Sequence, residues 1–166
     1  MSVNAGRFSA DIEGDFVVFL IGMRFNHLLK VRKWLPVALA MPKMLKAIDE
    51  HPEIGCLGYQ QWLGRTTILV QYWRDFDSLD RFAKDKDQPH IEPWRQFNRA
   101  VGKSGDVGIW HETFKVRAGE YEAIYGNMPT FGLARATSLV PVGKKAQAAA
   151  ARIGAASADE PVVEPY

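Results

Sequence analysis

The run FVVFLIGMR at residues 16–24 is the strongest constraint on what this chain can fold into. β-Branched and aromatic residues dominate it, which predicts a strand. A strand sends alternate side chains to opposite faces. Phe16, Val18 and Leu20 form one set, Val17, Phe19 and Ile21 the other, and both sets are apolar. Both faces of this strand therefore need cover. A second run, Thr66 to Trp73, repeats the pattern: Ile68, Val70 and Tyr72 alternate with Leu69, Gln71 and Trp73, and neither set is clearly polar.

The remaining elements follow from periodicity and punctuation. Residues 1–15, with Gly6, Gly14 and several charges, read as an N-terminal arm. Residues 31–50 read as a long helix, with Pro36 in its first turn and an inward stripe of Leu35, Leu39, Met41, Leu45 and Ile48. Pro42 lies inside that pattern and predicts a kink or a break. Ile54 to Trp62 reads as a strand joined by a turn at Gly64-Arg65 to the strand ending at Trp73. Asp75, Asp77 and Ser78 are helix-start residues ahead of the stripe Leu79, Phe82 and Ala83. Pro89 restarts a helix that places His90, Trp94, Phe97 and Val101 on one face, with Gly102 and Gly105 at its end. Val107 to Val116 predicts a fourth strand, and Tyr121 to Tyr125 a fifth extended piece before the loop NMPTFGL. From Val142 on, the chain is Ala-rich and then reads ADEPVVEPY, which predicts a frayed helix or disorder.

The order strand, helix, strand, strand, helices, strand is the pattern of a ferredoxin-like α+β unit: an antiparallel sheet with helices on one face. The domain is expected over residues 16–135, with a partly flexible C-terminal extension over 136–166. Because the strands are apolar on both sides, the face away from the helices needs a second cover. The simplest cover is another copy in a two-fold homodimer.

Composition excludes several classes. A length of 166 residues with 47% hydrophobic and 24% charged residues suits a globular domain that buries a core without staples. The net charge is +2 with both signs interspersed, which gives no nucleic-acid footprint. The single cysteine, Cys56, excludes an intrachain disulfide and a multi-cysteine zinc site. Phe16 to Met23 is too short to span a membrane as a helix, and the first residues lack a hydrophobic signal core. The expected setting is cytoplasmic, with no membrane or nucleic-acid partner. P-loop, Rossmann, serine-elbow and zinc spacings are all missing.

Several segments together carry a resemblance: FVVFLIGMR, VRKWLPV, YWRDFDSLDRFAKD, the helix from His90 to Trp94, GIWHETF and YEAIYGNMP. The chain resembles, over roughly residues 6–135, the monooxygenase-like family related to a fumagillin-pathway oxygenase, which is placed near the antibiotic-biosynthesis (ABM) monooxygenases. The resemblance implies a dimeric α+β barrel. It also implies a pocket between the sheet and the helices of one subunit, here between the strands of Trp73, Trp110 and Tyr125 and the helix carrying His90 and Trp94. Phe97 belongs to the same wall.

Within that frame His90 is the leading catalytic candidate. Its place in the first helical turn disfavours the imidazolium, and a neutral imidazole can serve as a general base or bind haem iron. The bland alternative is a helix-start histidine satisfied by a neighbour. His111 and Glu112 are adjacent on a strand, so they face opposite ways and cannot readily chelate one metal. If Trp110 lines the pocket, Glu112 shares its side and needs Arg74 or Arg95 as a partner, while His111 faces away. Tyr72, Tyr125 and Asn127 can supply polar contacts to a ligand oxygen, against the alternative of packing roles. No metal site is expected.

The expected activity is an ABM-like oxidoreductase, a monooxygenase acting on a hydrophobic small molecule without a cofactor. One alternative is a haem-dependent enzyme of the same fold, aldoxime dehydratase-like or haem-degrading, with His90 as axial ligand. The other is a non-enzymatic, small-molecule-binding dimer.

Overall fold

A computed structural model describes residues 2–85, 95, 103–143 and 148–153. The run at residue 16 is the central strand β2 (Phe16–Phe25), and it pairs antiparallel on both sides. One neighbour is β4 (Ile68–Trp73), with Val17 opposite Trp73 and Ile21 opposite Leu69. The other is β5 (Val107–Val116), with Phe16 opposite Val116 and Phe25 opposite Val107. β3 (Cys56–Trp62) pairs with the far side of β4. The four-stranded order β3-β4-β2-β5 is the ferredoxin-like arrangement that the element order predicts.

Helix α1 covers Val31–Glu50, the span predicted, and runs as one element through Pro36 and Pro42. Of the kink or break expected at Pro42, the break does not occur. The inward stripe is also differently phased. Met44 and Ile48 are buried, Met41 and Leu45 pack beside them, and Trp34, Val37 and Ala38 meet Met23, Phe25 and Val107. Leu35 and Leu39 are exposed. A period near 3.6 permits either stripe, and the contact with Phe25 selects the one through Trp34, whose rings meet edge-on at 4.8 Å. A 3-10 turn, Pro52–Ile54, ends at Gly55 with φ 95. A side chain at Gly55 would strike Ser78 as well as strain the backbone. Helix α2 (Phe76–Lys84) starts at Asp75, whose carboxylate accepts from the Ser78 N–H at 2.6 Å. That cap and the Ser78 hydroxyl hold the Asp75 carboxyl below the usual carboxylate range.

α1 and α2 lie on one face of the sheet. Their buried residues Met44, Ile48, Leu79 and Phe82 form one cluster with Val17, Leu69 and Trp73. On the opposite face the chain supplies a cover that the sequence did not reveal. The expected arm contains a strand, β1 (Asn4–Asp11), which sits between β6 (Tyr125–Met128) and β7 (Ser138–Pro141) in a separate antiparallel sheet. Between β6 and β7 lies the short helix α3 (Gly132–Ala136). Ala10, Leu133 and Ala134 are buried with Phe16, and Val18, Tyr72, Tyr121 and Tyr125 pack against them. The segment expected as a loop at 127–133 and the start of the expected extension are thus part of this second layer. A last short helix, α4 (Ala149–Arg152), is tied back where Arg152 Nε donates to Glu122 at 2.7 Å.

Candidate functional site

Strand pairing assigns each candidate to a face. Direct cross-strand partners share a face, and successive residues alternate. Val17, Phe19, Ile21, Leu69, Gln71 and Trp73 therefore point to the side of α1 and α2, with Tyr59 and His111 beside them. Phe16, Val18, Leu20, Val70 and Tyr72 point to the other side, with Trp110, Glu112 and Phe114.

This register separates residues that the sequence reading grouped in one pocket. Trp73 is on the helix side and fully buried, its ring 5.4 Å from that of Phe82. Trp110 is on the other side, lying over Gly22, where a Cβ would come within 2.6 Å of the indole Nε1. The two tryptophans thus cannot line one cavity between sheet and helices. Glu112 does share the side of Trp110, but that side faces away from α1 and α2, and the carboxylate is exposed. Arg74, offered as its partner, instead meets Asp75 and the Ser78 hydroxyl, each at 3.3 Å.

His111 is the member of the pair on the helix side, opposite Ile21 and with its ring 5.8 Å from that of Phe19. It is exposed at the margin of the sheet, on the outer strand. His90, Trp94 and Phe97 lie outside the described residues.

Tyr72 and Tyr125 do converge, but under α3 rather than under α1. A Cβ on Gly132 would lie 3.4 Å from both hydroxyls. The Tyr125 hydroxyl accepts from the Ala134 N–H at 3.3 Å. Burial raises the pKa of both phenols, and each stays protonated at neutral pH. Asn127 sits at φ 51 and its side-chain oxygen accepts from the Gly6 N–H at 2.9 Å, so it ties β6 to β1. These three residues hold the second layer in place.

The helix side holds a feature that the sequence reading passed over. Gln71 is 1% exposed, at the centre of the sheet, with Phe19 and Tyr59 as its cross-strand partners. Its Oε1 accepts from Trp73 Nε1 at 2.9 Å. Its Nε2 is buried and has no partner among the described residues. An unpaired buried N–H costs about 1–3 kcal/mol, which a leucine at this position would avoid. The signal was present in the sequence: one carboxamide in the otherwise apolar strand ILVQYW.

Two further groups border this face. The Tyr59 hydroxyl donates to Asp49 on α1 at 2.8 Å, and burial followed by that bond pushes its pKa up to about 12. Burial pushes the Cys56 thiol up to about 11, which leaves it an unreactive core group. Among the described residues no three His, Cys, Asp or Glu side chains converge as a metal site, and no helix is long and apolar enough to cross a membrane. The haem alternative rests on His90, which lies outside the described residues.

A family profile and one known relative point to the same group. A family profile described as Monooxygenase af470-like matches residues 16–133. The chain is 33% identical over 126 residues to the protein named Monooxygenase af470 of Aspergillus fumigatus, covering 69% of this chain and 44% of that one. It thus spans less than half the length of that relative. Two solved structures share more distant likeness. A conserved protein of unknown function from Bacteroides thetaiotaomicron aligns at TM-score 0.40 and 14% identity, over 61% of this chain and 97% of its own. A protein described as 'putative antibiotic biosynthesis monooxygenase' from Bordetella bronchiseptica aligns at TM-score 0.30 and 16% identity, over 58% of this chain and 94% of its own.

Proposed function

This chain belongs to the monooxygenase af470-like family, and from that premise we propose that it is a cytoplasmic monooxygenase acting on a hydrophobic small molecule. The substrate lies against the helix-side face of the four-stranded sheet. The observation that supports this reading is the margin of that face, where the partly buried Phe19 and Ile21 adjoin the exposed His111, whose ring is 5.8 Å from that of Phe19. A site with these properties takes a flat apolar molecule and offers it one imidazole.

Without a cofactor, the chemistry needs a substrate with an acidic C–H. A base removes the proton, and the resulting carbanion supplies electrons to dioxygen. A C–O bond forms, the O–O bond breaks, one oxygen stays as a carbonyl and the other leaves as water. His90, favoured by its helix-start position in the sequence, and His111, favoured by its place beside Phe19, are the two imidazoles for the base. Tyr72, Tyr125 and Asn127 serve the second layer and take no part on this face.

The test is oxygen uptake with polycyclic aromatic substrates that carry an acidic methylene. Turnover in the wild type should fall by about 10²–10⁴-fold in either His90→Ala or His111→Ala. Equal rates in both variants overturn the base assignment. A Soret band in the purified protein, lost in His90→Ala, overturns the cofactor-free reading in favour of haem. Saturable binding with no oxygen uptake for any substrate favours a binding protein instead.

A further inference from the structure

We infer that one end of the four-stranded sheet is a docking surface for an anionic lipid membrane, into which Leu28, Leu29 and Leu63 insert. Three connections meet at this end: the one from β2 to α1, the tip of the β3–β4 hairpin, and the turn ahead of β5. Arg65 on the hairpin donates from Nε to the Phe25 carbonyl at 3.2 Å and from Nη2 to that of Asn26 at 3.3 Å. Asn26 Nδ2 donates to the Gly105 carbonyl at 2.9 Å, and Lys30 Nζ to Asp106 at 2.7 Å. Hydrogen bonds therefore tie the three connections into one surface.

The tips of this surface are apolar. Leu29 is 97% exposed and Leu63 80%, with Leu28 and Trp62 exposed beside them in sequence. A lone exposed leucine needs no explanation. Here two loops far apart in the chain each carry leucines at the same end of the sheet. The charges of the three connections, residues 24–33, 62–66 and 103–106, are Arg24, Lys30, Arg32, Lys33, Arg65 and Lys103 against one carboxylate, Asp106. Asp106 is 4% exposed and already accepts from Lys30. The end thus carries more positive charge than the +2 of the whole chain.

The opposite end of the sheet has the opposite sign. There the Asp15 carboxylate accepts from the Ala118 N–H at 2.8 Å, and the Arg74 N–H donates to the Gly55 carbonyl at 2.9 Å. The connections gathered at that end hold Glu13, Asp15, Glu53, Asp77 and Glu122, while Arg74 and Arg117 are paired with Asp75 and Glu120. A molecule so polarised approaches an anionic surface with its basic end first. The apolar tips select among anionic partners. Nucleic acid gains from stacking on aromatic faces and from phosphate contacts, and aliphatic tips offer it neither. At a membrane, leucines enter the acyl boundary, a tryptophan sits at headgroup level, and lysines and arginines meet anionic headgroups. Such a contact needs no spanning helix, and the cytoplasmic leaflet is the anionic one.

The experiment is co-sedimentation of the full chain with vesicles of phosphatidylcholine, alone or mixed with phosphatidylserine. The wild type should partition at least about tenfold more strongly onto the mixed vesicles, and added salt should shrink that preference. Leu29→Ser changes a side chain that touches almost nothing in the fold, and it should weaken binding to the mixed vesicles by about tenfold. Arg32→Glu should weaken it by about thirtyfold, since it removes one attraction and adds one repulsion. An acidic residue in the first turn of α1 favours that helix, so the variant keeps its fold. A wild type that binds neither vesicle or both equally, or a Leu29→Ser that binds as the wild type does, overturns the inference. Tighter binding to poly(U) RNA, unchanged in Leu29→Ser, overturns it in favour of nucleic acid. Salt-sensitive self-association without vesicles, lost in Arg32→Glu, overturns it in favour of the acidic end of a second copy.

Discussion

On the helix side of the four-stranded sheet, Val17, Leu69 and Trp73 are buried under α1 and α2, which are near neighbours in the chain. On the other side, Phe16, Val18 and Tyr72 lie under Ala10, Leu133 and Ala134, drawn from both ends of the described fold. The first layer is continuous and deep, and its one anomaly is an amide with a free donor. The second is a small sheet and a five-residue helix, and its polar groups are engaged: Tyr125 with Ala134, Asn127 with Gly6, Tyr121 with Ile12. Each face of the sheet nonetheless keeps one buried N–H donor without a partner among the described residues, Gln71 Nε2 on the helix side and Trp110 Nε1 on the other.

That contrast can be broken by three substitutions of decreasing effect. Trp73→Ala removes a fully buried ring that contacts Phe82 and leaves Gln71 Oε1 unpaired. It should cost at least about 3–5 kcal/mol in urea unfolding. A smaller loss would mean that the helix side is less tightly packed than its burial suggests. Gly58→Val acts on the other layer, where even a Cβ would stand 2.9 Å from that of Ala136. It should cost about 1–3 kcal/mol by overpacking α3 against β3. Hydrogen exchange should accelerate in α3 and β7 and stay unchanged in β2 and β4, since separate layers open separately. Uniform acceleration would show one cooperative unit. Phe114→Asp touches neither layer, because that ring is 49% exposed on the uncovered part of the outer face. We propose that a second copy covers this part. The fold should then change by under about 0.5 kcal/mol while the dimer weakens at least tenfold in sedimentation equilibrium. An unaltered association would remove Phe114 from the interface.

The four-stranded sheet was legible because its strands announce themselves by β-branched runs and its helices by caps and periodicity. α1 spans Val31–Glu50 as read, although no side chain caps its start. Its buried stripe was not legible, since Leu35 and Leu39 fit the period as well as Trp34 and Val37, and only the contact with Phe25 decides. β1 was missed because NAGRFSAD alternates weakly and contains Gly6 at φ 99, and its partners lie more than a hundred positions away. β7 is four residues ending in proline, too short for a pattern. For the site, alternation correctly separated His111 from Glu112, but their sides depended on pairing with β2, which local sequence does not encode. The same register took Trp110, Tyr72 and Tyr125 away from the expected pocket. Gln71 was visible as a polar residue in an apolar strand, yet its significance required knowing that no partner reaches its nitrogen.

Asn4 pairs with Met128, and Phe8 with both Tyr125 and Pro141. Of the described strands, the one earliest in the chain is therefore completed last. During synthesis β2, β3 and β4 can assemble with α1 while β1 waits for segments not yet made, and the outer surface of β2 stays bare throughout. Nascent chains truncated before residue 125 should be the species most dependent on chaperones, and arrest at successive lengths followed by protease digestion would locate the point at which β1 becomes protected.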